Sequence, residues 1–288
     1  MLSHKLAAHL GSAVLRTTPA AGGDINDVQR VQLRDGRVLL VKTQRASLPG
    51  LFCDEARGLA WLAEANALRV PNVIWASEKD ELGPACLVLE WIERGARARD
   101  YAEQLGVGLA RLHRAAAPSF GLDHDNYLAS LRQENQPANH WGSFYAERRI
   151  GALTERAAQR GELPQALRKQ IELLLKRIPD LVGPEEPPAR LHGDLWSGNV
   201  LCDSAGAPVL IDPAVYGGHR EIDLAMMRLF GGFSEAVFDA YDEAFPLSPG
   251  HAERVPLYQL YPLLAHVNLF GSAYLPQLSH CIEALNME

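Results

Sequence analysis

The sequence lacks the long apolar runs that mark membrane and secreted proteins. No apolar run reaches the roughly eighteen residues that a membrane-spanning helix needs. The first residues, MLSHKLAAHLGSAVL, are interrupted by His and Gly and show no clean apolar region before a cleavage site. We therefore expect no membrane partner and no secretory signal, and we predict a cytoplasmic location.

Cysteine pairs and an excess of positive charge are also absent. The four cysteines, Cys53, Cys86, Cys202 and Cys281, are far apart and form no C-x-x-C pair, which disfavours zinc and dithiol sites. Free thiols of this kind suit a reducing cytosol. The net charge is −7, whereas a general nucleic-acid binder is more often basic, so we expect no nucleic-acid partner.

Two common phosphate-binding patterns are missing too. The chain contains no G-x-x-x-x-G-K-[ST] element, which disfavours a P-loop nucleotidase, and its Gly22-Gly23 turn is not a G-x-G-x-x-G loop. The composition is nevertheless that of a folded protein. With 288 residues, 47% hydrophobic and 22% charged, the chain can form one or two domains with a sizeable core.

The segment 191–213, LHGDLWSGNVLCDSAGAPVLIDP, carries the strongest chemical pattern. Asp194 precedes Asn199 by five positions, and Asp212 follows a strand–turn–strand pattern that would return it beside Asn199. Kinase-like phosphotransferases use this order, with one carboxylate for the attacking hydroxyl, then an amide oxygen and a second carboxylate for magnesium. A metallophosphatase is the weaker interpretation, because an upstream Asp-x-His and a following His-Glu are both missing.

The N-terminal part of the chain predicts further elements of such a site. Two β-prone runs predict a hairpin whose second strand ends at Lys42. The apolar spacing over 51–67 predicts a helix with Glu55 in its first two turns. Kinases pair a strand lysine with a helix glutamate. Glu55 is the favoured partner of Lys42, and Glu64 is the competitor.

Several motifs together resemble one family. HGDLWSGN followed by IDPAVYGGHREIDLAM is similar to the fructosamine kinase family (ketosamine-3-kinases), relatives of aminoglycoside and choline phosphotransferases. GGDIND, FGLDHDN, WGSFYAERRI and LYQLYPLLAHVNLFG also resemble that family, so the likeness runs through nearly the whole chain. The resemblance implies an α+β, bilobal, protein-kinase-like fold. A small N-terminal lobe, 1–91, would hold an antiparallel sheet and one main helix, and a larger, mainly helical C-terminal lobe would be 92–288.

The resemblance also implies ATP and Mg²⁺ as cofactors and assigns roles to individual residues. Asp194 would orient the acceptor hydroxyl, Lys42 would steady the phosphates, and Glu55 would steady Lys42. Asn199 and Asp212 would hold Mg²⁺. Further nucleotide contacts would come from Gly22 and Gly23 over the phosphates and from the backbone of Leu89, Glu90 and Trp91 at the adenine.

The acceptor side is implied in the same way. Trp196, Tyr216 and His219 would line the acceptor pocket, although core packing is an equal alternative for Trp196. Asp223 would brace the catalytic loop from below. Many family members carry Cys where this chain has Asp24, so we expect no redox control at that position.

The activity implied is phosphorylation of the 3-hydroxyl of ketoamines, the fructosamine and ribulosamine adducts of glycation, which leads to deglycation. The ketoamine would be a small molecule or be bound to protein. Three alternatives stay open: a related small-molecule kinase of the aminoglycoside or choline type, a nucleotide- or ketoamine-binding protein without turnover, and, least favoured because it would not need this ordered polar set, a purely structural protein. No pattern indicates the oligomeric state.

Overall fold

The structure is a computed structural model that describes residues 2–20, 27–44 and 48–286. The chain divides into two compact units. The first contains Met1–Tyr101 and Gly198–Pro213, and the second contains Ala102–Ser197 and Ala214–Glu288. Compared with the predicted lobes, 1–91 and 92–288, the first unit extends further and takes in a later segment of the chain.

Within the described residues, the first unit is built on a five-stranded antiparallel sheet with the order β1-β2-β3-β5-β4. The strands are β1 (Val14–Pro19), β2 (Asp27–Leu33), β3 (Val38–Thr43), β4 (Val73–Ser77) and β5 (Cys86–Glu90). β5 is buried over its first four residues, which is why its sequence is a continuous apolar run rather than an alternation. The predicted hairpin ending near Lys42 is confirmed as β2 and β3.

Two helices accompany this sheet, α1 (Leu2–Leu10) and α2 (Leu51–Ala63), in the part of the first unit that the structure describes. α2 follows Gly50, whose φ of 83° lies in the left-handed region that favours glycine. It packs against β4 and β5 through a buried face that includes Leu59. The helix predicted over 51–67 is therefore confirmed, with its end at Ala63.

Short strands form antiparallel pairs elsewhere in the chain. They are β6 (Asn126–Leu128) with β7 (Leu131–Gln133), β8 (Ala189–Leu191) with β11 (Tyr216–Gly218), and β9 (Val200–Cys202) with β10 (Pro208–Leu210). The β9–β10 hairpin belongs to the first unit, where backbone hydrogen bonds hold it at both edges. The amide of Leu210 donates to the Arg69 carbonyl at 2.9 Å, and the amide of Gly95 donates to the Cys202 carbonyl at 3.1 Å.

The second unit is mainly helical. Its helices are α3 (Tyr101–Arg114, which starts at the last residue of the first unit), α4 (Trp141–Phe144), α5 (Ala152–Gln159), α6 (Gln165–Leu175), α7 (Ile178–Leu181), α8 (Glu221–Phe230), α9 (Glu235–Ala244), α10 (His251–Phe270) and α11 (Leu275–Asn286). Short 3-10 segments lie at Ser197–Asn199 and Gly271–Tyr274. A π-helical segment, Tyr145–Gly151, lies between α4 and α5.

The core of the second unit forms around α10. This helix packs against α5, α8 and α11, and its leucines Leu257, Leu260, Leu263 and Leu264 are fully buried. The mixture of an antiparallel sheet with many helices confirms the α+β class. None of the helices in the described ranges is both long enough and apolar enough to cross a membrane.

Candidate active site

Two carboxylates of the first unit meet the ammonium group of Lys42, and the three side chains form a charged triad. Its ammonium nitrogen lies 2.5 Å from Glu55 Oε1 and 2.5 Å from Asp212 Oδ1. Glu55 reaches Lys42 because it stands one helical turn before Leu59, on the buried face of α2. The contact expected between Lys42 and Glu55, rather than Glu64, is therefore present, and Asp212 is an additional partner.

Two of the three side chains of this charged triad are shielded from solvent, whereas that of Asp212 is 31% exposed. The side chains of Lys42 and Glu55 are 5% and 11% exposed. Burial alone lowers the pKa of Lys42, but the negative charges of Asp212 and Glu55 outweigh it and raise that pKa above its ordinary value. Burial raises the pKa of Glu55, with the positive charge of Lys42 opposing the shift. Lys42 is thus a permanent cation at neutral pH, as a partner of phosphate groups must be.

Asn199 and Asp212 flank the β9–β10 hairpin. The amide of Ile211 donates to the Asn199 carbonyl at 3.0 Å, so the hairpin brings the residue before Asp212 against Asn199. Asp212 has a φ of 54°, a left-handed conformation that Asp tolerates better than most residues and that often occurs at functional positions. This hairpin is the strand–turn–strand pattern from which the return of Asp212 toward Asn199 was predicted.

The oxygen atoms of Asn199 and Asp212 suit a magnesium ion by their chemistry. In the described ranges, no cluster of three or more His, Cys, Asp or Glu side chains could hold a metal ion. Mg²⁺ does not require such a cluster, because it takes one or two carboxylate or amide oxygens and completes its shell with water and substrate phosphates. The assignment of Asn199 and Asp212 as its ligands stays a prediction.

The predicted adenine contacts lie where β5 ends. Leu89 is buried in the sheet, and Glu90 ends the strand. The indole N–H of Trp91 donates to Glu93 at 2.8 Å. The role expected of this connector uses backbone groups rather than these side chains, and it stays a prediction. The predicted phosphate contacts at Gly22 and Gly23 fall outside the described residues.

Arg69 connects the end of β5 with the β9–β10 hairpin. No sequence pattern predicted this connection. Its guanidinium donates to Glu90 and, at 2.6 Å, to Asp203 Oδ2. Asp203 in turn stabilises the hairpin turn by accepting from the amides of Ala205 and Ala207 at 2.9 and 3.0 Å. The hydrogen bond from the Ala207 amide is the main reason why the pKa of Asp203 lies below its ordinary value. Arg69 and Asp203 are 134 positions apart, so no local signal could have paired them.

The second unit carries Asp194 in the loop after β8. Gly193 has a φ of 81°, and a Cβ at that position would lie 2.0 Å from the Ala214 carbonyl oxygen, so only glycine fits there. The Asp194 amide donates to His192 Nδ1 at 3.2 Å, and the Trp196 amide donates to the Asp194 carbonyl at 3.2 Å. The backbone around Asp194 is thus a tight turn held by its own hydrogen bonds.

Asp223, at the start of α8, supports this loop. Its two carboxylate oxygens accept from the amides of His192 at 2.7 Å and Gly193 at 2.9 Å. His113 Nε2 lies 3.2 Å from the same carboxylate, and His113 Nδ1 lies 2.8 Å from the Tyr241 hydroxyl. Burial raises the pKa of Asp223, but the hydrogen bond and charge of His113 outweigh it and hold the pKa below its ordinary value. The predicted contact of Asp223 with the loop is present, and Tyr241 is a supporting residue that sequence patterns missed.

The three residues predicted for the acceptor pocket differ in exposure. Trp196 is 42% exposed, which suits contact with a bound molecule. Tyr216 is fully buried, and burial raises its pKa to about 12. His219 is 1% exposed and stacks on Tyr258, and burial lowers its pKa to about 4. Tyr216 and His219 therefore lie in the interior of the second unit, and their role at the acceptor stays a prediction.

Comparisons with known proteins show which family and which relatives the chain is similar to. The model of the fructosamine kinase family matches residues 1–288. A Thermus thermophilus protein assigned as a ketoamine kinase is 42% identical over 267 residues, which cover 92% of either chain. A chloroplastic protein-ribulosamine 3-kinase of Arabidopsis thaliana is 37% identical and covers 88% of this chain and 77% of its own.

Solved structures agree with the predicted fold. A Thermobifida fusca protein assigned as a fructosamine-3-kinase has a TM-score of 0.89 and 40% identity, covering 100% of this chain and 99% of that chain. A choline kinase of Streptococcus pneumoniae has a TM-score of 0.64 and 17% identity, covering 100% and 98% of the two chains. The second likeness shows the fold alone. Together they confirm a protein-kinase-like α+β fold.

Proposed function

This chain belongs to the fructosamine kinase family, and on that premise we propose that it transfers the γ-phosphate of ATP to the 3-hydroxyl of ketoamines. The substrates are the ribulosamine and fructosamine adducts that sugars form with amines. The 3-phosphate then decomposes and releases the amine, which is deglycation. The observation that carries the proposal is Lys42, which lies 2.5 Å from Glu55 in the lysine–glutamate pair that kinase-like phosphoryl transfer uses, with Asp212 at the same distance.

In this proposal the first unit serves the nucleotide. Lys42 donates to the phosphates, while Glu55 keeps its ammonium in place. Asn199 and Asp212 are the ligands of Mg²⁺, which supplies positive charge to the phosphates when it is bound. The backbone of Leu89, Glu90 and Trp91 contacts adenine.

The second unit serves the acceptor. Asp194 accepts or orients the proton of the attacking 3-hydroxyl, which must lie within about 3 Å of its carboxylate. Asp223 supports this step by fixing the amides of His192 and Gly193, so the loop does not have to be ordered at the moment of reaction. The exposed ring of Trp196 offers an apolar surface to the head of the ketoamine.

We place this activity in the cytoplasm, where reducing conditions suit the four free thiols. Free and protein-bound ketoamines are both proposed as substrates. The preferred form is found by comparing two phosphorylation rates at equal ketoamine concentration. One is measured with the sugar adduct of N-acetyl-lysine, and the other with a glycated protein.

The test is an assay of the purified protein with Mg-ATP and a panel of acceptors. The panel contains a ribulosamine, a fructosamine, an aminoglycoside and choline, and NMR locates the phosphate in each product. We expect phosphorylation at O3 of the ketoamines, with the ribulosamine turned over at least as fast as the fructosamine. Phosphate at another position, or turnover of the aminoglycoside or choline without any ketoamine, would overturn the proposal.

Variants separate catalysis from binding. Asp194→Asn should lower kcat by about 10²- to 10⁴-fold, the range for a positioned acid or base, while calorimetry shows unchanged affinity for Mg-ATP. Asp212→Asn should instead weaken Mg-ATP binding, because a charged oxygen ligand is lost. Asp123→Asn is the matched control, since the Asp123 side chain is 89% exposed. Nucleotide binding by the wild type without turnover of any acceptor would support a binding protein instead.

A further inference from the structure

One buried cation of the second unit takes no part in the reaction steps described above. Arg149 is 1% exposed and lies in the π-helical segment, inside the motif WGSFYAERRI. Its neighbour Arg148 pairs with Glu134 at 2.8 Å, whereas in the described part of the chain no carboxylate pairs with Arg149. Burying a charge without an opposite charge costs desolvation free energy. We therefore look for a contribution from Arg149 that an apolar side chain could not make.

The surroundings of Arg149 show what holds the cation. Its guanidinium donates to the Glu134 carbonyl at 2.9 Å and to Asn135 Oδ1 at 2.6 Å. Its central carbon also lies 4.0 Å from the ring centre of Tyr216 and 4.6 Å from that of Phe144. The faces of these rings attract a cation and offset part of its desolvation.

Arg149 also sets the direction of a chain of hydrogen bonds, because arginine can only donate. Asn135 accepts from Arg149 through its amide oxygen, so its NH₂ group faces away and donates to Asn126 Oδ1 at 2.8 Å. Asn126 must then donate through its own NH₂ group, and it does so to the Val215 carbonyl at 2.8 Å. Gln133 reinforces the same direction by donating to Asn126 Oδ1 at 3.0 Å.

The end of this amide chain lies beside the catalytic loop. The residue before Val215 is Ala214, whose amide donates to the His192 carbonyl at 2.9 Å. The residue after it is Tyr216, which pairs with β8 immediately before the loop. Val215 is therefore held by the amide chain while both of its neighbours contact the backbone that leads to Asp194.

We propose that Arg149 is a positioning residue for Asp194, acting through the amides of Asn135 and Asn126 and the Ala214–Tyr216 segment. Arg149 supports the loop through that segment, and Asp223 supports it by a separate set of hydrogen bonds. The kinetic part of the test rests on the proposed phosphoryl transfer. Loop exchange provides a second readout that needs no acceptor, so failure of the proposed function and failure of this proposal are distinguishable.

Three substitutions form the experiment. Arg149→Met removes the donor and the charge at similar length, and Arg149→Lys restores both. Arg148→Met is the matched control on the adjacent position, because the Arg148 guanidinium bonds to the exposed side chains of Glu134 and Gln136. For each protein, steady-state kinetics give kcat and KM, calorimetry gives Mg-ATP affinity, and hydrogen–deuterium exchange with mass spectrometry follows the peptide over 189–197.

In Arg149→Met we expect kcat to fall at least tenfold and exchange over 189–197 to accelerate at least tenfold, while Mg-ATP affinity stays within twofold. Arg149→Lys should recover most of both losses, and Arg148→Met should match the wild type. Unchanged exchange and kcat in Arg149→Met, or an equal loss of Mg-ATP affinity, would overturn the proposal. If the wild type turns over no ketoamine, exchange alone decides the question.

A second variant covers the case in which Arg149→Met does not fold. Asn126→Ala removes the last link to Val215 and leaves Arg149 with its own partners. It should reproduce the accelerated exchange over 189–197 and the fall in kcat. Wild-type exchange in this variant would overturn the proposal, because the amide chain would then carry no constraint to the loop.

Discussion

Removing the cation at Lys42 should destabilise the protein through the two carboxylates left behind. Glu55 Oε1 and Asp212 Oδ1 each lie 2.5 Å from Lys42 Nζ, so the two oxygens can be no further apart than twice that distance. At an effective dielectric constant of about 20, two negative charges about 5 Å apart repel by about 3 kcal/mol. We expect the free energy of unfolding of Lys42→Met to fall by at least this amount at pH 7.

A second substitution tests the cause of that loss. In the double variant Lys42→Met/Glu55→Gln only Asp212 remains charged, so the repulsion is gone. The double variant should therefore be more stable than Lys42→Met by about 3 kcal/mol, although it contains one more substitution. Urea unfolding without nucleotide gives these free energies for four proteins: the wild type, Lys42→Met, Glu55→Gln and the double variant. A double variant no more stable than Lys42→Met would refute the reasoning.

Acid should rescue Lys42→Met for the same reason. Burial already raises the pKa of Glu55, and in the variant the opposing charge of Lys42 is missing. A carboxyl group whose pKa is raised in the folded state gains stability as pH falls through that pKa, and the gain is complete below its unfolded value of about 4.3. The stability gap between wild type and variant should narrow from pH 7 to pH 5. A constant or widening gap contradicts the argument.

Three further predictions concern the loop and the thiols. Gly193→Ala should lower the free energy of unfolding by at least about 2 kcal/mol, because its Cβ would meet the Ala214 carbonyl at a left-handed φ; an unchanged melting temperature speaks against it. Asp223→Asn should lower kcat at least tenfold without changing Mg-ATP affinity, since its NH₂ group would face one of the two amide donors, His192 or Gly193. Equal losses of kcat and affinity would count against this role. Peroxide followed by dithiothreitol should leave the rate unchanged, because burial raises the pKa of the Cys86 thiol and raises that of Cys281 to about 11. A large reversible loss would disprove it.

Local sequence patterns predicted the elements that hold the Lys42 triad. The strand that ends near Lys42 and the helix that carries Glu55 each follow from apolar spacing within a dozen or so residues. The same spacing explains why Glu55 rather than Glu64 makes the contact. Glu55 stands one turn before buried Leu59, whereas Glu64 lies beyond the last residue of α2.

The place of the β9–β10 hairpin could not be predicted in this way. The hairpin itself was visible as two β-prone runs around a turn, but its attachment to the first unit uses backbone groups. Leu210 donates to the Arg69 carbonyl and Gly95 donates to the Cys202 carbonyl, and every residue except proline carries those same groups. These backbone contacts carry no side-chain signal, and the Arg69–Asp203 ion pair joins residues 134 positions apart, so no local pattern could predict which unit the hairpin would join.

Tyr216 and His219 show a different limit of sequence reasoning. A family motif marks these positions, but it does not say what their side chains contact, and both are buried. The structure gives Tyr216 another task, because its ring lies 4.0 Å from the buried guanidinium of Arg149. One short motif thus serves two units, with Asp212 completing the Lys42 triad of the first and Tyr216 packing on the Arg149 cation of the second. Tyr216 therefore belongs to the packing around Arg149, which in our proposal supports the loop that carries Asp194.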